Sequence, residues 1–93
     1  MPNTSPTVTD MRMANAMLNL KQFFPELTEK QFHVAATYAM GRSVSRTSSI
    51  NNRNYEATKK MLQRCKEALN VDSIESIRTI FIFRTLWGIY EKQ

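Results

Sequence analysis

Apolar side chains recur along this chain at intervals of three and four residues, the period of a helix face. Met13, Met17, Leu20 and Phe24 form one such stripe, with Ala14 and Leu18 beside it. Asp10 can cap this first helix and Pro25 forces its end. The next start signal is the clearest in the chain. Thr28-Glu29-Lys30-Gln31 fits a capping box, in which Thr28 accepts from the Gln31 amide and Gln31 reaches back to Thr28. Leu27 and Phe32 stand where the matching hydrophobic staple belongs. Phe32, Ala35, Ala36 and Ala39 then make one face, with Val34 and Tyr38 on its flank, and Gly41 supplies a left-handed stop.

From Arg42 to Asn54 the pattern lapses. Val44 and Ile50 are the only large apolar residues among Ser, Arg, Thr and Asn, enough for a short helix opened by Ser43 that could not fold alone. Asn54 can cap the following helix and Asn70 suits its left-handed end. At about 100° per residue, Thr58, Met61, Leu62, Cys65, Ala68 and Leu69 share one arc; Glu56, Lys59, Lys60, Gln63, Arg64, Lys66 and Glu67 lie opposite. A last helix is expected from Asp72 or Ser73 to about Tyr90. Ile74, Ile77, Ile80 and Phe81 form one stripe on it, and Phe83, Leu86, Trp87 and Tyr90 a second, rotated well away. A terminal helix with two apolar faces needs two surfaces to pack against. The core is one; the first helix or a second copy of the protein is the other. Trp87 with Phe83 and Tyr90 is core if the first helix covers it and a dimer anchor if not.

These elements predict one all-α domain, a compact bundle of about five helices, and 93 residues suffice for a single modest core. Hydrophobic residues make up 42% and charged residues 23%, the balance of a folded chain. Cys65 is the only cysteine, so no intrachain disulfide can form and a reducing cytoplasm is the expected location. The longest apolar stretch, near Ile80 to Phe83, is too short to span a bilayer, and MPNTSPTVTD lacks the regions of a signal peptide. No membrane association is expected.

Charge changes the picture more than composition does. From Arg42 to Lys66, seven basic residues (Arg42, Arg46, Arg53, Lys59, Lys60, Arg64, Lys66) stand against Glu56 alone, although the whole chain carries only +5. A cationic segment in an otherwise neutral domain is the footprint of a polyanion partner, or an ordinary solvated face. A short helix, a tight turn and an amphipathic helix with an outward basic face are the parts of a helix-turn-helix, whose second helix enters the major groove of duplex DNA. Here that recognition helix would run from about 55 to 68. Lysines suit phosphates or guanine edges, Gln63 can read adenine, Tyr55 can meet the backbone, and amides near Asn54 offer a phosphate site.

The stretch from Leu27 to about Ile77 resembles the C-terminal DNA-binding domain of LuxR/FixJ-type response regulators. The residues that carry the resemblance are Leu27-Thr28 with its capping box, Val34, Gly41-x-Ser43, Leu69-Asn70-Val71, and Ser73 with Ile77, in register without a gap over roughly half the chain. The resemblance implies that Lys59, Lys60 and Gln63 face the groove, and that Asn54, Tyr55, Arg64 and Lys66 lie toward phosphates. It implies dimerisation through the last helix, where Phe83, Leu86, Trp87 and Tyr90 are the candidate contacts, and an inverted-repeat site. Residues 1–9 would then be a flexible leader, 10–26 an N-terminal helix, and 27–93 a LuxR-like domain with a long C-terminal helix. No receiver or ligand-sensing domain is expected, so control would come from expression, oligomerisation or a partner. The chain departs from the family at its centre. Gln31 replaces Glu, Thr47-Ser48 replace Ile-Ala, Asn51 and Arg53 replace apolar residues, and Ala57-Thr58 replace Thr-Val. A one-residue shift that brings Ile50 into a core slot is an alternative frame.

Other chemistry has little to stand on. His33 reads as a surface or partly buried helix residue and Cys65 as core. With no second Cys or His nearby, neither a metal site nor a Cys-His nucleophile is expected; no phosphate loop or carboxylate pair suggests an enzyme, and no cofactor is implied. The methionines Met11, Met13 and Met17 suit packing or an adaptable partner surface. The expected function is therefore that of a dimeric, DNA-binding transcriptional regulator of bacterial type. The competing expectation is a helical protein-interaction module, derived from a helix-turn-helix, that binds another regulator. RNA is the weakest option, since Tyr55 is the only aromatic on the basic face.

Overall fold

The computed structural model describes residues 19–91, which are helical with no strand among them. Four helices follow one another through short turns: α1 (Glu29–Ala39), α2 (Val44–Ile50), α3 (Tyr55–Leu69) and α4 (Ser76–Glu91). Residues 19–21 are helical as well, and i→i+3 bonds such as Phe24 N–H to the Lys21 carbonyl (2.9 Å) tighten the turn before Pro25. The expected leader and the expected first helix up to residue 18, with Met11, Met13 and Met17, lie outside the described residues.

Each boundary has a local cause. The capping box forms as the sequence predicts: Gln31 N–H donates to Thr28 Oγ1 (3.2 Å) and Thr28 N–H to Gln31 Oε1 (2.9 Å). Gly41 has φ +91°, and a Cβ there would meet nothing within 4 Å, so the backbone angle and not crowding selects glycine. Ser43 Oγ accepts from Arg46 N–H (3.0 Å) to open α2. Asn70, at φ 56°, ends α3 while its own and Val71's N–H donate to the Glu67 and Lys66 carbonyls. The last helix starts a turn later than its apolar pattern predicts. Ser76, Ile77 and Arg78 N–H donate to carbonyls only three residues back, and Ser73 Oγ accepts from Ser76 N–H (3.2 Å). Ser73 thus caps a tight turn ahead of the α-helix.

The core is an aromatic triad framed by aliphatics. Phe24 stacks on Phe81 at 4.0 Å between centroids, and Phe32 lies 5.8 Å from each. Leu62, Cys65 and Ile77 are buried beside them. α1 is the central element, packed against α2, α3 and α4. That position explains why Val34 and Tyr38, expected on its flank, are as buried as its inward face. Ala68, expected in the packing arc of α3, is exposed; a methyl group costs little to leave in water.

Two arginines of α4 bind distant backbone. Arg78 donates to the Tyr38 carbonyl (3.1 Å) and the Arg42 carbonyl (2.7 Å), and lies 4.0 Å over the Tyr38 ring, closing the end of α1. Arg84 donates to the Phe23 carbonyl (2.7 Å) and makes a two-pronged pair with Glu26 (2.8 and 2.6 Å). The hydrogen bonds from Arg84 hold the Glu26 carboxyl below its usual pKa, against the opposing effect of burial. Its contribution to stability is therefore complete above the ordinary carboxylate pKa and is lost as pH falls through the lower folded value.

Candidate nucleic-acid interface

The presentation of α3 is set by the turn before it. Asn51 ends α2, Asn52 takes φ 54°, and Arg53 N–H donates to the Ser48 carbonyl (2.9 Å) while Asn52 N–H donates to Ser49 (3.2 Å). This is a Schellman stop built with asparagine at the left-handed position. Asn51 Nδ2 also donates to Thr37 Oγ1 (3.3 Å) and to the Thr47 carbonyl (3.0 Å), which ties the turn to α1. Asn54 then caps α3, its Oδ1 accepting from Ala57 N–H at 2.7 Å. The Asn54 side-chain oxygen is committed to the cap, so its amide nitrogen is the group able to donate outward.

Behind the turn the packing is polar. Thr47, Ser48 and Thr58 are buried. Ser48 Oγ donates to the Ser45 carbonyl (2.6 Å) and Thr58 Oγ1 to the Asn54 carbonyl (3.0 Å). Thr47 Oγ1 is buried with no hydrogen-bond partner among the described residues. Small hydroxyl residues thus occupy core positions, and Ile50, expected to enter a core slot only if the chain is shifted by one residue, is 49% exposed. Thr47→Val keeps the side-chain shape and removes an unsatisfied hydroxyl, so it is expected to raise stability by about 1 kcal/mol. A urea titration checks this, and a lower midpoint would mean that the hydroxyl has a partner.

On α3 itself, Lys59, Lys60, Gln63 and Arg64 are exposed on the outward arc, Tyr55 is exposed at its first turn, and Lys66 is half-buried at the arc's edge. Lys66 departs in this from the fully outward position its spacing predicts. Glu56 and Glu67 share the exposed arc. Among the described residues the only ion pair is Arg84–Glu26, which leaves the basic groups of this arc without acidic partners. The arrangement can bind anions and donate hydrogen bonds. Cys65, on the other side of α3, is buried with its thiol 3.5 Å from the Gln31 carbonyl, and burial pushes its pKa up to about 11. His33 is exposed.

The four apolar residues singled out on the last helix, Phe83, Leu86, Trp87 and Tyr90, are all exposed, Trp87 at 54%. Trp87 is thus not part of the buried core, and the first helix, which the core reading had cover it, lies up to residue 18 outside the described residues. Phe83 stacks on Trp87 at 6.4 Å, and Trp87 lies 6.3 Å from Tyr90. Ile82 and Ile89 join this surface. The two stripes drawn from the sequence left them out, although the i, i+4, i+7 row 82, 86 and 89 beside the aromatic row is the signal that finds them. Arg78 and Arg84 carried no such signal, because their partners, backbone carbonyls and the Glu26 carboxylate, lie far away in sequence.

No helix among the described residues is long and apolar enough to cross a membrane, and no group of His, Cys, Asp or Glu among them could hold a metal ion. Compared with protein-family models, curated proteins and solved structures, the chain matches none.

Proposed function

We propose that this protein binds duplex DNA as a dimeric transcriptional regulator of LuxR/FixJ-like helix-turn-helix form, acting in a reducing cytoplasm. The recognition helix of this reading is α3, with Lys59, Lys60 and Gln63 toward base edges and Asn54, Tyr55, Arg64 and Lys66 toward phosphates. The observation that carries it is the outward arc of α3: three exposed cations and Gln63, without an ion-pair or hydrogen-bond partner among the described residues, on a helix whose other side is buried and whose start is fixed by Asn54. Fluorescence anisotropy of a labelled duplex over a range of salt concentrations tests it. Binding that weakens linearly in log–log form with salt supports the reading, and no binding by folded protein at low salt refutes it. Glu56 sits amid these cations, so Glu56→Gln is expected to raise affinity for all duplexes several-fold in the same assay.

The exposed face of α4 favours a second reading, a module that works by binding another regulator. Soluble monomers rarely expose contiguous apolar patches beyond a few hundred Å². In the dimer reading a second copy covers this face. Trp87→Glu is expected to shift the protein to monomer in sedimentation equilibrium, weakening association by about 2 kcal/mol or more. A wild type that is already monomeric while binding DNA would remove the dimer from the proposal; one that binds only a protein partner would favour the second reading.

A further inference from the structure

The outward surface of α4 carries both an insert and a place to seat it. Ile82, Phe83, Leu86, Trp87, Ile89 and Tyr90 are each 54–74% exposed. With about 150–250 Å² on a full aromatic side chain, the six leave on the order of 700 Å² of apolar surface open. The largest patch of a typical monomer is about 300–600 Å², whereas a standard interface buries about 800 Å² on each partner. The open face is therefore the size of one half of an interface. Between Thr79 and Tyr90 the only charged residue is Arg84, and it is turned to Glu26 and the Phe23 carbonyl. A partner meets no free charge on this face.

The two edges of α4 differ. Ile80, Phe83 and Trp87 share one edge at i, i+3, i+7 spacing. Beside Ile80 and Phe83 opens a hollow of about 420 Å³, walled also by Val71 and rimmed by Asp72, Ser76 and Thr79. Trp87 of the same chain does not line it. A cavity of about 150 Å³ holds benzene, so an indole fits this larger one. The chemistry matches as well. The walls suit the ring, and the Asp72 carboxylate and Thr79 hydroxyl can accept from the single N–H that a buried tryptophan must satisfy. Asp72 is in no ion pair among the described residues. The opposite edge has a groove of about 250 Å³, lined by no charged group and by one hydroxyl, that of Thr85.

We propose that a second copy covers this face with its α4 antiparallel, and that Trp87 of each copy seats in the hollow of the other. This rests on the dimer of the proposed function and adds its orientation and its anchoring contact. An insert and a hollow on the same edge make the face self-complementary. A two-fold axis across α4 near Phe83 brings like edges together and so carries each Trp87 to the partner's hollow. A parallel pair brings unlike edges together, and sets Trp87 against the groove that offers its N–H a single acceptor. Nothing in this packing depends on DNA.

Cysteines near the two ends of the outward row test it in the full chain. Thr79 and Tyr90 lie about 16 Å apart along α4, too far to bridge within one chain. The native Cys65 is buried with its thiol protonated and does not compete. Thr79→Cys/Tyr90→Cys is expected to oxidise to a covalent dimer on a non-reducing gel, while each single variant runs as monomer there. Covalent dimer from Thr79→Cys alone would reveal a parallel pair and overturn the proposal, leaving the dimer itself standing. A wild type that sediments as monomer at all concentrations would remove both. Trp87→Phe keeps a ring and loses the N–H, so it is expected to weaken association several-fold in sedimentation equilibrium, as is Asp72→Ala. If neither substitution changes association, the hollow is not the seat of Trp87.

Discussion

Lys59→Ala/Lys60→Ala is expected to lower duplex affinity by on the order of 100-fold at fixed salt, since a contact to a base edge is worth about 1–3 kcal/mol. The log–log salt slope should fall by roughly 0.9 for each phosphate that is no longer neutralised. Both lysines are exposed, neither is in an ion pair among the described residues, and alanine is the better helix former. Thermal stability should therefore be unchanged or slightly higher, which separates a binding defect from a folding defect. Gln63→Ala should alter sequence preference at little cost to non-specific affinity. Lys66→Ala should weaken all sequences alike, and because its stem is half-buried it should also cost some stability. A double variant that binds as wild type would place any nucleic-acid interface elsewhere than the outward arc of α3.

What the sequence made legible was what local chemistry decides. Thr28, Ser43 and Asn54 each place a side-chain oxygen where an orphan amide needs it, and Gly41 and Asn70 take up positive φ, so those helix ends follow from one or two residues. Ser73 misled for the same reason: its hydroxyl does accept from Ser76, but the turn it caps closes by i→i+3 bonds before α4 begins. The buried face of α3 was legible as a period, apart from Ala68. The stretch from Thr47 to Arg53 was not, because hydroxyl residues read as solvent-facing although a threonine methyl can pack and a serine hydroxyl can turn back on its own helix. Contacts between remote residues left no trace in the pattern. Nothing in the sequence around Arg84 distinguishes it from a solvated charge, and only the fold brings it to Glu26 and the Phe23 carbonyl.

That same junction sets the largest expected stability effect. Phe24 is fully buried, stacks on Phe81, neighbours Phe32, and lies 4.9 Å beneath the Arg84 guanidinium. Phe24→Ala removes the ring and leaves a cavity that its rigid neighbours cannot close, a change that costs about 3–5 kcal/mol. Small domains are stable by only about 5–15 kcal/mol, so the variant should be partly unfolded at moderate temperature, with Tm lower by roughly 15–30 °C. Phe24→Leu, which refills most of the volume, should recover a large part of this. Leu86→Ala, a similar truncation at an exposed site of α4, should stay near wild type in dilute solution. Calorimetry of the three variants distinguishes two architectures. A large loss at Phe24 means that the segment before Pro25 is part of the cooperative core and helps to hold α1 against α4. A loss below about 1 kcal/mol would mean that this segment docks on a core that is already complete without it.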